Sequence, residues 1–402
     1  MKLKKTLIAI FFAFLMILTP FNVKADQEEL SNHISYYDEV TTILAGDPET
    51  GKILLSKNAN ISLPVASMSK LMTYYVVKNE IKLGHISLTD VVTVSKAAAS
   101  KNQANYSSYG MVAGEKLTVE QLLSGMMVVS GNDASISLAE HVSGSEEEFV
   151  KKMNETALEL GLTESHFINS HGLTEGNKSN EMSAENLFTL SSAILREFPE
   201  VVEYSKITEI NEPSRKFVET STIHDQFSDI PGILGLKTGT TDEAGFCFTA
   251  LYDMSKYNPE SNFKIVAIIM GAETPEQRWR TVKELGEFMG GSFVQHKIVS
   301  AETPITRYDM PSAKEGSVVL YPEENYSTIS YSQKVVDVKY NIEKRIKAPT
   351  EAESVFGSIY ISQDGKPLKK INIISHEKTT EAPLMQRLQG AFEYFTNFLF
   401  SL

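Results

Sequence analysis

Residues 65–70 read Val-Ala-Ser-Met-Ser-Lys, with an apolar helical pattern behind them. A serine hydroxyl attacks a carbonyl only when a base takes its proton, and this stretch has no histidine nearby. A lysine amine can be that base if burial or a second cation lowers its pKa. Ser67 and Lys70 are three apart, so on a helix starting near Ser67 they share a face. Ser69, two from Ser67 and adjacent to Lys70, points elsewhere. A helix N-terminus at Ser67 would also aim backbone N–H groups at developing negative charge. Taken alone, Ser-x-x-Lys is equally a polar helix start with a solvated lysine.

Two other triplets change that balance. Ser130-Gly131-Asn132 interrupts two helical stretches, and Lys237-Thr238-Gly239 lies in a strand-like run that continues Thr-Thr-Asp-Glu-Ala-Gly. Ser-x-x-Lys, a Ser-x-Asn triplet and Lys-Thr-Gly, in this order, form the motif set of penicillin-binding proteins and class A β-lactamases. With them, and with "DPETGKIL", "FINSHGL", "LKTGTTDEAGFCF" and "IIMGAETPEQR", the chain resembles the low-molecular-mass penicillin-binding proteins of the serine D-alanyl-D-alanine carboxypeptidase family. The likeness runs over essentially the whole chain.

The resemblance implies a role for each matching position. Ser67 would be the acylated nucleophile and Lys70 its general base. Ser130 would relay the proton to the leaving amine, and Asn132 would bind the substrate amide and orient Lys70. Lys237 would keep Lys70 neutral and, with Thr238, bind the terminal carboxylate. Gly239 would let the substrate backbone approach the strand, and the N–H groups of Ser67 and Thr240 would form the oxyanion hole. Arg278 matches an arginine used near that carboxylate; its other reading is a charge on a helix surface. The implied activity is removal of the terminal D-alanine from peptidoglycan stem pentapeptides, without metal or cofactor, with β-lactams as acylating inhibitors. A β-lactamase or endopeptidase on the same fold, and a non-catalytic cell-wall binding protein, are the competing readings. The second triplet is Ser-Gly-Asn and not Ser-Asp-Asn, and no glutamate motif for lactamase deacylation stands out. The asparagine-rich segment that many relatives carry before Lys-Thr-Gly is replaced by "STIHDQFSDIPGILG", which leaves the hold on the peptide stem undefined on that side.

The elements that must position these residues can be read from periodicity. Residues 41–56 read as two strands joined by an Asp-Pro-Glu-Thr-Gly turn. Helical patterns follow to Leu83, then from Thr118, where Gln121 completes a capping-box spacing, and again over 145–160, 183–197 and 276–290. Strands fill about 233–270. This order predicts an α+β domain over 26–299, transpeptidase/β-lactamase-like, with helices on an antiparallel sheet shared by its first and last strands. Period-two alternation then predicts a small all-β domain over 300–376, with an Asp364-Gly365 hairpin turn.

The bulk numbers set the compartment and partners. A net charge of −13 argues against nucleic acid and against electrostatic adhesion to anionic lipid. A basic start, an apolar run and "VKA" before Asp26 read as a signal peptide over 1–25. The body is then exported, and with Cys247 as its one cysteine it has no internal disulfide; Cys247 sits in an apolar run and reads as a buried small hydrophobe. Leu384, Leu388, Ala391, Phe392, Phe395, Leu399 and Leu402 recur at helical spacing. Residues 380–402 are therefore expected to form an amphipathic helix lying on the membrane surface, or else packed on the β domain, at the outer face of the bacterial cytoplasmic membrane. His171 and His224 lack metal-ligand spacing and are expected to be structural.

Overall fold

The computed structural model describes residues 30–103 and 105–385. The expected leader at 1–25 and residues 386–402 of the expected tail helix lie outside the described residues; the start expected for that helix at 380 is instead extended chain bonded to the β unit, with Lys314 N donating to the Thr380 carbonyl at 2.9 Å and Ala382 N to the Ser312 carbonyl at 2.8 Å.

β1 (Thr42–Asp47) and β2 (Lys52–Lys57) form a hairpin. Nearly two hundred residues later come β3 (Ile233–Thr241), β4 (Gly245–Asp253) and β5 (Lys264–Ala272). The antiparallel sheet has the order β2-β1-β5-β4-β3, so β1 closes against β5 with Ala45 opposite Ala267. This is the expected sharing of one sheet by the two ends of the domain. Side chains alternate across a strand, and here both faces are covered. Leu44, Val266, Ile268 and Met270 enter one core, while Ile43, Ala45, Ile265, Ala267 and Ile269 enter the other. That is why "IVAIIM" is unbroken by polar residues.

The first core is closed by α1 (Lys70–Lys82), α2 (Val119–Val128), α3 (Asn132–Ser143), α4 (Glu146–Glu159) and α5 (Ala184–Glu197). The second is closed by α6 (Thr222–Phe227) and α7 (Pro275–Ser292). α1 begins at Lys70, not near Ser67 as expected, because a 3₁₀ turn over Ala66–Ser69 precedes it. The hairpin of Glu209–Glu212 with Phe217–Thr220, and α6 after it, gave no periodic signal. They are short and polar, and the hairpin is held from a distance: Arg215 binds Glu115, Glu212 and the Tyr109 carbonyl.

The second unit is all-β. β6 (Phe293–Val299) follows α7 directly. It is followed by β7 (Thr306–Asp309), β8 (Ser317–Pro322), β9 (Tyr326–Tyr331), β10 (Val336–Ile342), β11 (Ser354–Gln363) and β12 (Lys366–Ser375). β7-β8-β12-β11-β10 form one sheet, and β6 pairs with β9. Asp364 and Gly365 both have positive φ, at 51° and 74°, the conformation that a tight hairpin of this hand requires. Phe293 and Ile329 are buried in the second core of the first unit. Lys52 of β2 donates to Thr328 Oγ1 at 3.3 Å and the Ile329 carbonyl at 2.8 Å. The two units are thus joined by shared apolar packing and a lysine clasp.

α2 carries the full capping box. Thr118 Oγ1 accepts from Gln121 N at 3.2 Å, and Gln121 Oε1 accepts from Thr118 N at 2.9 Å. Thr118→Ala removes one of these bonds and should lower unfolding stability by about 1 kcal/mol, read as a lower denaturant midpoint with an unchanged slope.

Candidate active site

The 3₁₀ turn at Ala66–Ser69 is held from within and from two sides. Ser69 is buried, and its Oγ donates to the Ala66 carbonyl at 2.7 Å. Ala66 itself sits at φ 47°, a left-handed conformation that costs a side-chain-bearing residue about 1–2 kcal/mol. The surroundings enforce it. A Cβ at Gly239 of β3 would lie 2.8 Å from the Val65 carbonyl oxygen and 3.2 Å from Met68 Cγ. A Cβ at Gly172, whose φ is +92°, would collide with the Ala66 carbonyl. Both glycines therefore let backbone press on the turn. For Gly239 this packing is a requirement independent of the substrate approach expected from the sequence.

A 3₁₀ turn has three residues per turn, so positions i and i+3 eclipse. Ser67 and Lys70 are brought together more directly than on an α-helix: Lys70 Nζ lies 2.9 Å from Ser67 Oγ. The same nitrogen lies 2.8 Å from Asn132 Oδ1, at the first turn of α3, and 2.6 Å from the His171 carbonyl oxygen. Lys70 is 0% exposed. Burial drives its pKa well below the usual lysine value, the Lys237 cation lowers it further, and Asp133 opposes them. A neutral amine has two hydrogens and one lone pair. Two of its three contacts are to pure acceptors, the Asn132 and His171 oxygens, so the lone pair is left for the Ser67 hydroxyl hydrogen.

Ser130 lies two residues before Asn132, buried, at φ 62°. This break between α2 and α3 is fixed by Asp133, whose carboxylate accepts from Tyr109 N at 2.8 Å, Met111 N at 3.0 Å and Ser108 Oγ at 2.9 Å.

Lys237 is buried on β3, and its ammonium donates to the Thr238 carbonyl at 3.0 Å. Burial and the neighbouring Arg278 cation push its pKa down to about 7. Thr238 Oγ1 donates to Thr222 Oγ1 at 3.3 Å, and Thr240 is exposed at the end of the strand. Arg278 is only 3% exposed, so it is not a surface helix charge. Its guanidinium donates to Thr240 Oγ1 at 3.4 Å, to the Cys247 carbonyl at 3.3 Å and to Gln226 Oε1. Burial lowers its pKa to about 10, which leaves it cationic at neutral pH. β3 is the outer strand of its sheet, and an edge strand offers backbone groups to an extended peptide. The arrangement combines a serine with an adjacent base, a cationic pair beside an edge strand, and a turn aligned against it. That equipment suits acyl transfer from a peptide ending in a carboxylate.

Sequence reasoning missed the His171 carbonyl and Asp133. His171 itself is a buried loop residue, whose Nδ1 accepts from Leu173 N at 3.1 Å. His224 is exposed on α6, and Cys247 is buried, with its thiol pushed up to about 11.

Both units of the chain match known proteins. The sequence model of the D-alanyl-D-alanine carboxypeptidase family matches residues 37–274, and that of the penicillin-binding protein 5 C-terminal domain matches 293–381. The chain is 30% identical over 361 residues to D-alanyl-D-alanine carboxypeptidase DacF of Bacillus subtilis, covering 87% of this chain and 88% of that one. It is 30% identical over 382 residues to DacC of Escherichia coli, covering 94% and 92%. Among solved structures, penicillin binding protein 5 from Haemophilus influenzae superposes with a TM-score of 0.71 at 27% identity, over 85% of this chain and 98% of that one. Penicillin-binding protein D2 of Listeria monocytogenes, in its cefotaxime-bound form, gives 0.55 at 29% identity, over 63% and 97%.

The electrostatics generate a test with a definite sign. An ammonium at Lys70 cannot accept the Ser67 proton, so acylation falls as pH drops through the Lys70 pKa. The Lys237 cation lowers that pKa, and Lys237→Gln removes it. The acid limb of the pH–rate profile for β-lactam acylation should therefore move to higher pH in Lys237→Gln. Rates normalised to each protein's plateau check this.

Proposed function

The chain belongs to the D-alanyl-D-alanine carboxypeptidase family and is a serine-type peptidase of that class, and from this we propose how its own residues remove the terminal D-alanine of a peptidoglycan pentapeptide stem. The observation that carries the mechanism is the 2.9 Å contact of Ser67 Oγ with a buried Lys70 amine. Ser67 Oγ attacks the carbonyl of the penultimate D-alanine while its proton passes to Lys70. The Ser67 and Thr240 N–H groups bind the oxyanion. Ser130 relays the proton to the departing amine, the C–N bond breaks, and D-alanine leaves. Water then attacks the Ser67 ester, with the same lysine as base, and frees the tetrapeptide. Asn132 binds the substrate amide besides holding Lys70. Lys237, Thr238 and Arg278 bind the terminal carboxylate, and Gly239 keeps the strand open to the peptide backbone. No metal or cofactor enters the reaction.

A β-lactam acylates Ser67 by the same step. Its leaving group stays tethered and obstructs the water, so the adduct persists. Neighbours solved in ampicillin- and cefotaxime-bound forms support this reading. The relatives' activity and the Ser-Gly-Asn triplet favour a carboxypeptidase over a β-lactamase. A complete nucleophile–base pair is not needed by a wall-binding protein.

Incubation with penicillin should add one drug mass to the intact protein, mapped to Ser67, and the protein should release D-alanine from a pentapeptide. Ser67→Ala should lose both. Lys70→Ala should acylate about 10²–10⁴-fold more slowly. Rapid β-lactam turnover with an untouched pentapeptide would make this a lactamase.

We also propose that the protein is exported by residues 1–25 and held at the outer face of the cytoplasmic membrane by residues 380–402. The hold would rest on the apolar side of a surface-lying tail. Truncation after residue 385, which spares the bonds of Thr380 and Ala382 to the β unit, should move the protein from the membrane fraction to the soluble one while D-alanine release is retained. Retention in the membrane fraction would contradict the tail's role.

A further inference from the structure

Beside the cationic pair, a recess of about 490 Å³ opens between the start of β4 and the start of α7. Its apolar walls are Phe227, Phe246, Trp279 and Pro275, and the polar Gln226, Thr240, Glu276 and Arg278 complete it. Phe246 and Phe248 are two apart on β4 and so share the face that α6 and α7 cover. Phe248 stacks on Phe227 at 4.3 Å within the second core, which makes the recess the open end of that core. The Arg278 guanidinium lies 5.5 Å from the Phe227 ring centroid and 5.3 Å from that of Phe246. Trp279 is fixed by its indole N–H, which donates to Asp229 Oδ1 at 3.1 Å. The walls are thus aromatic and held, and the guanidinium is clamped between two of them. Arg278 Nε, moreover, is buried without a hydrogen-bond partner.

Arg278 belongs both to the recess and to the carboxylate site proposed above, and Thr240, whose N–H is assigned to the oxyanion hole, lies on the same wall. A carboxylate bound there leaves the Cα of the departing residue one bond away, with its side chain at the mouth of the recess. We propose that this recess receives the side chain of the residue released, so that the enzyme accepts stems ending in D-amino acids with large apolar or aromatic side chains as well as D-alanine. The proposal rests on the carboxypeptidase reading above. The methyl of D-alanine fills little of such a space, whereas a phenyl ring meets the faces of Phe246 and Trp279. An added apolar group in a pocket of this kind changes kcat/KM by about 10–200-fold when fully used.

The test is release of the C-terminal residue from an N-acylated L-Lys-D-Ala-D-Xaa peptide by the full chain, with Xaa as Ala, Leu or Phe. The expected result is a kcat/KM for D-Phe and D-Leu equal to that for D-Ala or up to about tenfold above it. Trp279→Ala should lower the D-Phe to D-Ala ratio about tenfold, and the ratio cancels any general loss of activity. Release of D-alanine with D-phenylalanine rejected a hundredfold overturns the recess alone, as does an unchanged ratio in Trp279→Ala. Release of no residue at all overturns the carboxypeptidase reading beneath it. The wild-type series decides the question even if the variant fails to fold.

Discussion

A lysine amine buried among oxygen atoms is the constraint around which this molecule is arranged. Lys70 is fully buried, and its three nearest polar partners, Ser67 Oγ, Asn132 Oδ1 and the His171 carbonyl, carry no formal charge. An ammonium stripped of water without a bonded carboxylate is costly, and losing the proton is the cheaper solution. Asp133 favours the charged form but ranks behind burial and the Lys237 cation. The price of the site is therefore a lysine kept from its ordinary charge, and the return is a base at a distance where it can act.

Each partner of that amine comes from a different part of the fold. Ser67 is set by a 3₁₀ turn, Asn132 by the start of α3, the carbonyl by the His171-Gly172 loop, and the second cation by an edge strand. The sheet fixes the strand because its central strands are buried on both faces. Two glycines, Gly172 and Gly239, let the loop and the strand close on the turn at backbone distance. The small β unit touches none of these residues through its joint. Its Phe293 and Ile329, with Lys52 of β2, fasten it to the side of the sheet away from β3.

The sequence reading reached furthest where the signal was local. The spacing of Ser67 and Lys70 survives the replacement of the expected helix by a tighter turn, since both geometries align residues three apart. The capping box at Thr118 and Gln121 and the Asp364-Gly365 turn were equally legible, because propensity and hydrogen bonding act over a few residues. The contact of Lys70 with Asn132 spans 62 positions. It was reached through the motif set and not through periodicity. The His171 carbonyl was hidden, because any residue type supplies the same backbone oxygen. Arg278 was ambiguous for a related reason: a basic residue early in a helix gives no sign of being clamped between Phe227 and Phe246, which only tertiary packing brings there. The polar hairpin before α6 was missed because ion pairs across a hundred residues leave no period in the sequence.

The most direct measurement of the central claim is the titration of Lys70 itself. NMR of protein carrying ¹³C-labelled lysine, with Lys70→Arg used to assign the signal, reads the charge on this one side chain as pH is varied. The account predicts a neutral Lys70 amine in the resting enzyme at neutral pH, with a midpoint far below the 10.5 of an ordinary lysine. It also predicts that the midpoint rises when Lys237 is replaced by glutamine. A Lys70 signal that stays in its ammonium position until the pH nears 10.5, with or without Lys237, would contradict the account.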